Sequence, residues 1–366
     1  MSERNLLEPP KIVTVSFDIQ AVYNILDTLE SLATHLDHSG TSEWIQRTAS
    51  QMSPELTREL HQVTALFVMP AMKMSTLPHQ DDFVAFIDAI AAREPVQLRD
   101  EYLAVLVREV FGNAAQLNKL PAPPKPDQLL EHAEVFLRWM ELTFRDKNSN
   151  FPILPEFHEL IIDPVRYQAT VVTVLRRLWY GYLEEDWKRH LALLQECVRA
   201  YQQLNLSGLT ALEAIRAVTG RDVSLNNLFD FSTPEHLMFV PSAHLGPYLS
   251  KLGSGPSVRI MFGARLPTGI AGPTALSRSD VLVRLNALAD DTRLRILELL
   301  AHEGELRAQD IIARLELGQS SVSRHLTQLC ATGYITERRR DVNKSYTLNA
   351  DRLDDTFSAL RRLLKR

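Results

Sequence analysis

Only two cysteines occur in 366 residues, Cys197 and Cys330. That excludes a disulfide framework as the basis of the fold and fits a reducing compartment. No apolar stretch reaches the roughly 18 residues that a membrane-crossing helix requires. Neither a membrane span nor an export signal is expected, which places the chain in the cytoplasm. An excess of one charge is also missing. The 40 Lys and Arg stand against 45 Asp and Glu, a formal net charge of −5, which argues against a wholly basic nucleic-acid coat. Catalytic signatures are equally scarce. No phosphate-cradling Gly-rich loop precedes a helix, and Gly253-Ser254-Gly255 lies as a turn between two expected strands. No G-x-S-x-G elbow and no H-E-x-x-H pair occurs. The expectations are therefore no enzyme, no cofactor and no metal ligands.

The charge that is present is unevenly placed. Residues 277–366 carry 16 Lys and Arg against 13 Asp and Glu, leaving 24 against 32 for residues 1–276. A mildly basic tail on an acidic body suits local DNA contact by one module.

That tail has the most specific pattern in the chain. In Val281–Leu288 the apolar residues Val281, Leu282, Leu285 and Leu288 recur at helical spacing. Asp290 reads as the N-cap of a second helix, which buries Leu294, Leu297 and Leu300 with Ile296 beside them. Arg307–Leu315 makes a third, short helix, and Gly318 opens a fourth. In the fourth, Val322, Leu326, Leu329 and Cys330 set the buried face. Gln319, Ser320, Ser321, Ser323, Arg324, His325, Thr327 and Gln328 are left for solvent. Small hydroxyls, an amide and an Arg at a helix start can reach phosphates and base edges. A basic hairpin follows, with Arg338, Arg339, Arg340 and Lys344 suited to phosphate contact. The last helix, from Asp351 to Lys365, carries a stripe of Leu353, Phe357, Leu360 and Leu364. That stripe either packs on its own domain or forms a homodimer seam.

The runs L-A-D-D-T-R-L-R-I-L-E-L-L (Leu288–Leu300) and V-S-R-H-L-T-Q-L-C-A-T-G-Y-I (Val322–Ile335) resemble the ArsR family of winged-helix transcriptional repressors. The resemblance covers residues ~280–350 and implies a dimer with two recognition helices in successive major grooves, wings on flanking backbone, and a switch by metal or small molecule. It favours the homodimer seam. Two departures bear on the switch. Thiolate sensors of the family carry E-L-C-V-C-D-L before the recognition helix. This chain has Glu305-Leu-Arg307-Ala-Gln309-Asp-Ile311, and neither Arg nor Gln supplies a sulfur donor. The other sensor site pairs Asp with His on the final helix. Here Asp351, Asp354 and Asp355 have no following His and read as charges at a helix N-terminus.

The expected architecture is mainly α. Residues 1–264 form a large helical N-terminal region with a few short strands and a break at Pro121–Pro126. Residues 265–277 form a hinge, and residues 278–366 a C-terminal winged helix-turn-helix domain with its dimerisation helix. In the body, strands are expected around Ile12–Phe17, Leu237–Val240 and Val258–Phe262. Helices are expected over Ala21–Leu36, Ser42–Gln51, Pro54–Phe67, Gln80–Arg93, Gln97–Phe111, Asp127–Phe144, Pro164–Tyr182, Glu184–Leu204 and Leu209–Val218. This front end is similar, more loosely, to long N-terminal domains fused to some bacterial regulators of the ArsR type, in element order and in Ser42-Glu-Trp44 and Pro247-Tyr-Leu249. His35-Leu-Asp-His38 reads as surface histidines at a helix end. Trp179, Tyr180, Tyr182 and Trp187 are core aromatics or the lining of an apolar pocket. Three functions remain open: a ligand-responsive, dimeric DNA-binding repressor with an effector of unidentified chemistry, a protein-docking or architectural regulator, and an enzyme with a DNA-binding appendage. The first is the reading adopted, with double-stranded DNA as partner.

Overall fold

The computed structural model describes residues 11–35, 42–144, 151–220, 234–246, 248–253, 255–265, 267, 278–340 and 343–364. Most of the expected hinge, together with His38 and Pro247, lies outside the described residues.

The body opens with strand β1 (Thr14–Phe17) and helix α1 (Ala21–Ala33), then α2 (Glu43–Gln51), α3 (Pro54–Val63), α4 (Met69–Lys73), α5 (Phe83–Ala91), α6 (Pro95–Val105) and α7 (Gly112–Asn118). After an extended proline segment come α8 (Pro126–Glu131), α9 (Ala133–Phe144), α10 (Glu156–Ile162), α11 (Pro164–Leu178), α12 (Glu184–Gln202) and α13 (Ala211–Thr219). Local chemistry sets several of the starts. Ser53 and Asp163 accept hydrogen bonds at N-caps and are each followed by proline, which is preorganised for the first turn. Thr210 and Glu213 form a reciprocal capping box at α13.

Three expected single helices pass instead through π turns, at Thr64–Val68, Leu106–Phe111 and Trp179–Leu183. The first has an evident cause. Pro70 has no N–H to donate to the Leu66 carbonyl four residues earlier. The buried Tyr167 hydroxyl donates to that oxygen instead, at 3.0 Å. The expected helix Asp127–Phe144 breaks at His132, between α8 and α9. His158 Nε2 sits 3.1 and 3.2 Å from the Leu129 and Leu130 carbonyls beside that break. α4 and α7 continue past the ends of expected helices, whereas α10 and the edge strand β3 (Leu249–Leu252) had no expectation behind them. At seven and four residues, neither shows a usable period.

Strands β2 (His236–Ser242) and β4 (Ser257–Gly263) complete a sheet ordered β1-β2-β4-β3. The first three neighbours in that order are parallel and β3 is antiparallel to β4. Strand alternation divides its side chains between two cores. Leu237, Phe239, Val258, Ile260 and Phe262 pack against Cys197 and Tyr201 of α12 and against α13. Met238, Val240 and Met261 join the large helical core built on α1 and its neighbours. The sheet is thus a middle layer, and α12 reaches the loop after β2.

The tail has its own core. It comprises α14 (Arg278–Leu288), α15 (Asp291–Glu303), β5 (Leu306–Arg307), α16 (Ala308–Leu315), α17 (Gln319–Thr332), β6 (Ile335–Arg340), β7 (Asn343–Leu348) and α18 (Ala350–Leu364). Ala287, Ile296, Leu297, Leu300, Leu306, Ile311, Val322, Leu326, Leu329, Tyr334, Ile335 and Tyr346 interlock there. Two expected faces need correction. Leu282 is 57% exposed and Leu294 49% exposed. The inward positions are taken by Val281 and Arg284 on α14, and by Arg293 and Ile296 on α15. Val281 and Ile296 were expected, and the apolar period misses the other two because they are arginines.

Candidate nucleic-acid interface

The core of the tail fixes the bearing of α17. Gly318 is its N-cap in an extended conformation, and the chain reaches it through Glu316, whose φ of 53° ends α16 in the left-handed region. Val322, Leu326 and Leu329 are buried as expected, and Cys330 is half-buried. Gln319, Ser323, Arg324 and Thr327 are exposed, while Ser321 and His325 are half-buried. The Thr327 hydroxyl is turned inward on the helix, donating to the Ser323 carbonyl at 2.9 Å. The side chain of Ser320 lies outside the described residues. Gln328, expected to face solvent, is 3% exposed.

The reason is Arg293. It lies in the L-A-D-D-T-R run and is buried, and its guanidinium bridges three elements. Nε donates to the Ala287 carbonyl at 2.5 Å and Nη2 to the Asn286 carbonyl at 2.9 Å, both at the end of α14. Nη1 donates to Gln328 Oε1 on α17 at 2.6 Å and lies 3.6 Å from Asp290 Oδ2. Free carbonyls at a helix C-terminus favour a cation, and a planar guanidinium serves several acceptors at once. Asp290 meanwhile caps α15 by accepting from the Arg293 N–H at 2.9 Å. One residue therefore sets α17 against both earlier helices.

Asp290 also faces His325, with Oδ1 3.6 Å from Nδ1. Burial lowers the His325 pKa below its ordinary value, opposed by Asp290 and assisted by Arg293 and Arg324. His325 is therefore largely neutral near pH 7, a weaker phosphate partner than a cation.

The wing pairs β6 and β7 antiparallel, with Arg338 opposite Ser345, Arg339 opposite Lys344 and Arg340 opposite Asn343. β5 adds a third strand through Leu306 and Tyr346. The side chains of Arg338, Arg339 and Arg340 lie outside the described residues. Lys344 Nζ is 2.9 Å from Glu337 Oε1 across the hairpin, an exposed pair that partly offsets its charge. At the base, the buried Tyr334 hydroxyl bridges the Arg284 carbonyl and Thr356 Oγ1, each at 3.1 Å, tying wing, α14 and α18 together.

The stripe on α18 divides. Leu353 packs against the core of the tail and Leu360 is half-buried, whereas Phe357 is 46% and Leu364 78% exposed. Thr356 and Ala359 are the buried residues of this helix. Asp354 and Asp355 are exposed, and the side chain of Asp351 lies outside the described residues. The backbone N–H of Arg307 donates to Asp310 Oδ2 at 3.0 Å at the start of α16, so the stretch expected to lack a thiolate site is an ordinary helix cap.

In the body, the four aromatics do not line one pocket. Trp179 is buried 5.3 Å from the Phe83 ring, Tyr180 is 61% exposed, and Trp187 turns toward a separate cleft beside Asp186. His35 Nδ1 donates to the Leu32 carbonyl at 2.8 Å. Burial pushes the Cys197 thiol up to about 11, which leaves it unreactive near neutral pH. One group escaped sequence reasoning: Asp186, His190 and His244 meet around one oxygen. Asp186 and His190 show the i, i+4 spacing of a shared helix face, but His244 lies 58 residues from Asp186 and carries no local signal. Burial alone would raise the Asp186 carboxyl, but hydrogen bonds from His190 and His244 outweigh it and hold the group well below the carboxylate range. The same contact with Asp186 raises the His190 pKa.

Three helices, a short turn into α17 and a three-stranded wing define the tail as a winged helix-turn-helix domain. The family profile described as "Bacterial regulatory protein, arsR family" matches residues 290–337. The Arsenic resistance transcriptional regulator ArsR1 of Pseudomonas putida is 44% identical over 64 residues, 18% of this chain and 50% of that protein. The Transcriptional activator HlyU of Vibrio cholerae is 35% identical over 82 residues, 22% of this chain and 75% of that one. The Arsenical resistance operon repressor of Staphylococcus aureus is 33% identical over 85 residues, 23% of this chain and 81% of that one. The chain belongs to the arsR family of bacterial regulatory proteins. It spans half the length of the first of these relatives, and each match covers less than a quarter of it.

Proposed function

We propose that this protein is a sequence-specific DNA-binding transcriptional repressor that acts as a homodimer in the cytoplasm and answers to an effector bound by its helical body. The carrying observation is the exposed face of α17. Gln319, Ser323 and Arg324 project from a helix whose opposite side is held by a packed core and by Arg293. Such a helix presents donors at the geometry of a major groove, and Arg bonds guanine O6 and N7 with particular strength. Arg324 and Gln319 contact bases or phosphates, supported by Ser320, Ser321, Ser323 and His325. Arg338, Arg339, Arg340 and Lys344 contact phosphates. Phe357 and Leu364, with Leu353 and Leu360 beneath them, form the dimer seam. Repression is the reading that the Staphylococcus aureus relative supports by name, the other two being named a regulator and an activator.

The test is selection of random double-stranded DNA by the full chain, followed by sequencing. The expected result is an inverted repeat with half-site centres about one helical turn, roughly 34 Å, apart. Absence of enrichment at low salt, with a folded protein, would overturn the reading.

A further inference from the structure

Asp186 and His190 lie one turn apart on α12 and face the loop after β2, which supplies His244. One donor atom from each of the three lies within 4.8 Å of the others. His244 Nε2 is 2.6 Å and His190 Nδ1 3.3 Å from Asp186 Oδ2. The Asp186 and His244 side chains are each 6% exposed. The second carboxylate oxygen, Asp186 Oδ1, is buried without a hydrogen-bond partner, and its nearest cation is the Arg189 guanidinium at 3.9 Å. A buried carboxylate oxygen left bare costs free energy that a bound cation would recover.

The surroundings are arranged as the outer layer of a metal site is. His244 Nδ1 is 3.0 Å from Ser42 Oγ, and the Trp44 ring stacks on the imidazole with centroids 4.6 Å apart. His190 Nδ1, which faces the carboxylate, is also 2.9 Å from the Asp186 backbone carbonyl and gives that contact up on binding, whereas His244 can donate Nδ1–H to Ser42 and keep Nε2 toward the cluster. An imidazole that donates one ring N–H to an oxygen offers the other nitrogen as a lone pair, the usual second partner of a ligating His. Beside the cluster is a small open cleft lined by Asn24, Thr28, Leu183 and Trp187, which supplies an entry path and room for a water-sized ligand.

We propose that Asp186, His190 and His244 form a binding site for a divalent first-row transition ion, with three protein ligands and its remaining positions open to the cleft. Two imidazoles and one carboxylate, with no thiolate, suit zinc, cobalt or nickel rather than soft thiophilic ions. Entry of the ion displaces the proton shared by His244 and Asp186. Donors around a tetrahedral ion stand about 3.3 Å apart, so that pair must open by roughly 0.7 Å. The ion joins α12 to the β2–β3 loop, and through Ser42 the start of α2 supports it.

The test uses full-length protein freed of metal with chelator and titrated with Co²⁺. Visible cobalt absorption saturating at one ion per chain, and lost on adding Zn²⁺, is the expected result. His190→Gln and His244→Gln should each weaken binding at least tenfold, and Ser42→Ala about tenfold through its outer-shell bond. His132→Gln, at an exposed histidine elsewhere in the body, should bind as the parent does. His190 is only half-buried, so its variant reports even if substitutions at Asp186 or His244 fail to fold. No cobalt spectrum from folded protein, or binding unchanged in His190→Gln, overturns the proposal. Neither readout involves DNA, so this site stands or falls independently of the winged-helix reading.

Discussion

Removing the Arg293 guanidinium would strand the Asn286 and Ala287 carbonyls and the buried Gln328 amide together. Arg293→Ala should therefore cost about 3 kcal/mol in the tail, the sum of lost charge-assisted hydrogen bonds and newly orphaned acceptors. Chemical denaturation followed by a probe in the tail would check it. Arg293→Lys should restore little, because an ammonium cannot reproduce the planar fork. His325 gives the expectation for pH. Its folded pKa lies below 6.5, so the unfolded chain takes up the proton more readily. Its stabilising effect is full above pH 6.5 and is lost progressively as pH falls below that value. Thermal melts of the full chain should show the tail weakening on acidification, with a shallower slope in His325→Gln. An unchanged slope would assign the effect to other groups.

Among the elements, α18 carries the clearest expectation. Phe357 and Leu364 are the large apolar side chains that its own domain leaves exposed. Phe357→Glu should convert a dimer to monomers in sedimentation while leaving the tail folded, because Leu353, Thr356 and Ala359 still hold the helix. The β2–β3 loop behaves differently. A Cβ at Gly263 would fall on the Gly246 carbonyl oxygen, so the loop that carries His244 closes tightly over the end of β4. Gly263→Ala should cost about 2 kcal/mol by overpacking, read from the melt of the body. Helix positions were largely legible because capping and period act within four residues. The π turn at Thr64–Val68 and the His132 break were not, because contacts from Tyr167 and His158, far along the chain, bear on them.

At the scale of the molecule, the large helical core, the α12–α13 layer and the tail core are built from separate residues, and among the described residues no tail residue joins either body cluster. Calorimetry should accordingly resolve at least two transitions, with Arg293→Ala moving only one of them. A single cooperative transition would mean that body and tail unfold together. In the proposed reading, DNA is bound by the assembled dimer. Arg324→Ala should weaken specific binding by about 1–3 kcal/mol and relax sequence preference. Arg339→Ala should instead weaken all sequences alike and flatten the salt slope.

The sequence by itself determined the mainly α architecture, the winged helix and the family, since caps, periodicity and the L-A-D-D-T-R and V-S-R-H-L runs are local. Tertiary structure alone decided where the buried faces of α14 and α15 depart from the apolar period. Arg284 and Arg293 turn inward where Leu282 and Leu294 were expected, and for Arg293 the reason is that its guanidinium serves backbone carbonyls that leucine cannot. It also decided that Gln328 is a structural partner of Arg293, that Phe357 and Leu364 separate from Leu353, and that His244 meets Asp186 and His190. These pairings join residues whose neighbourhood is created only by folding, and no spacing along the chain encodes them.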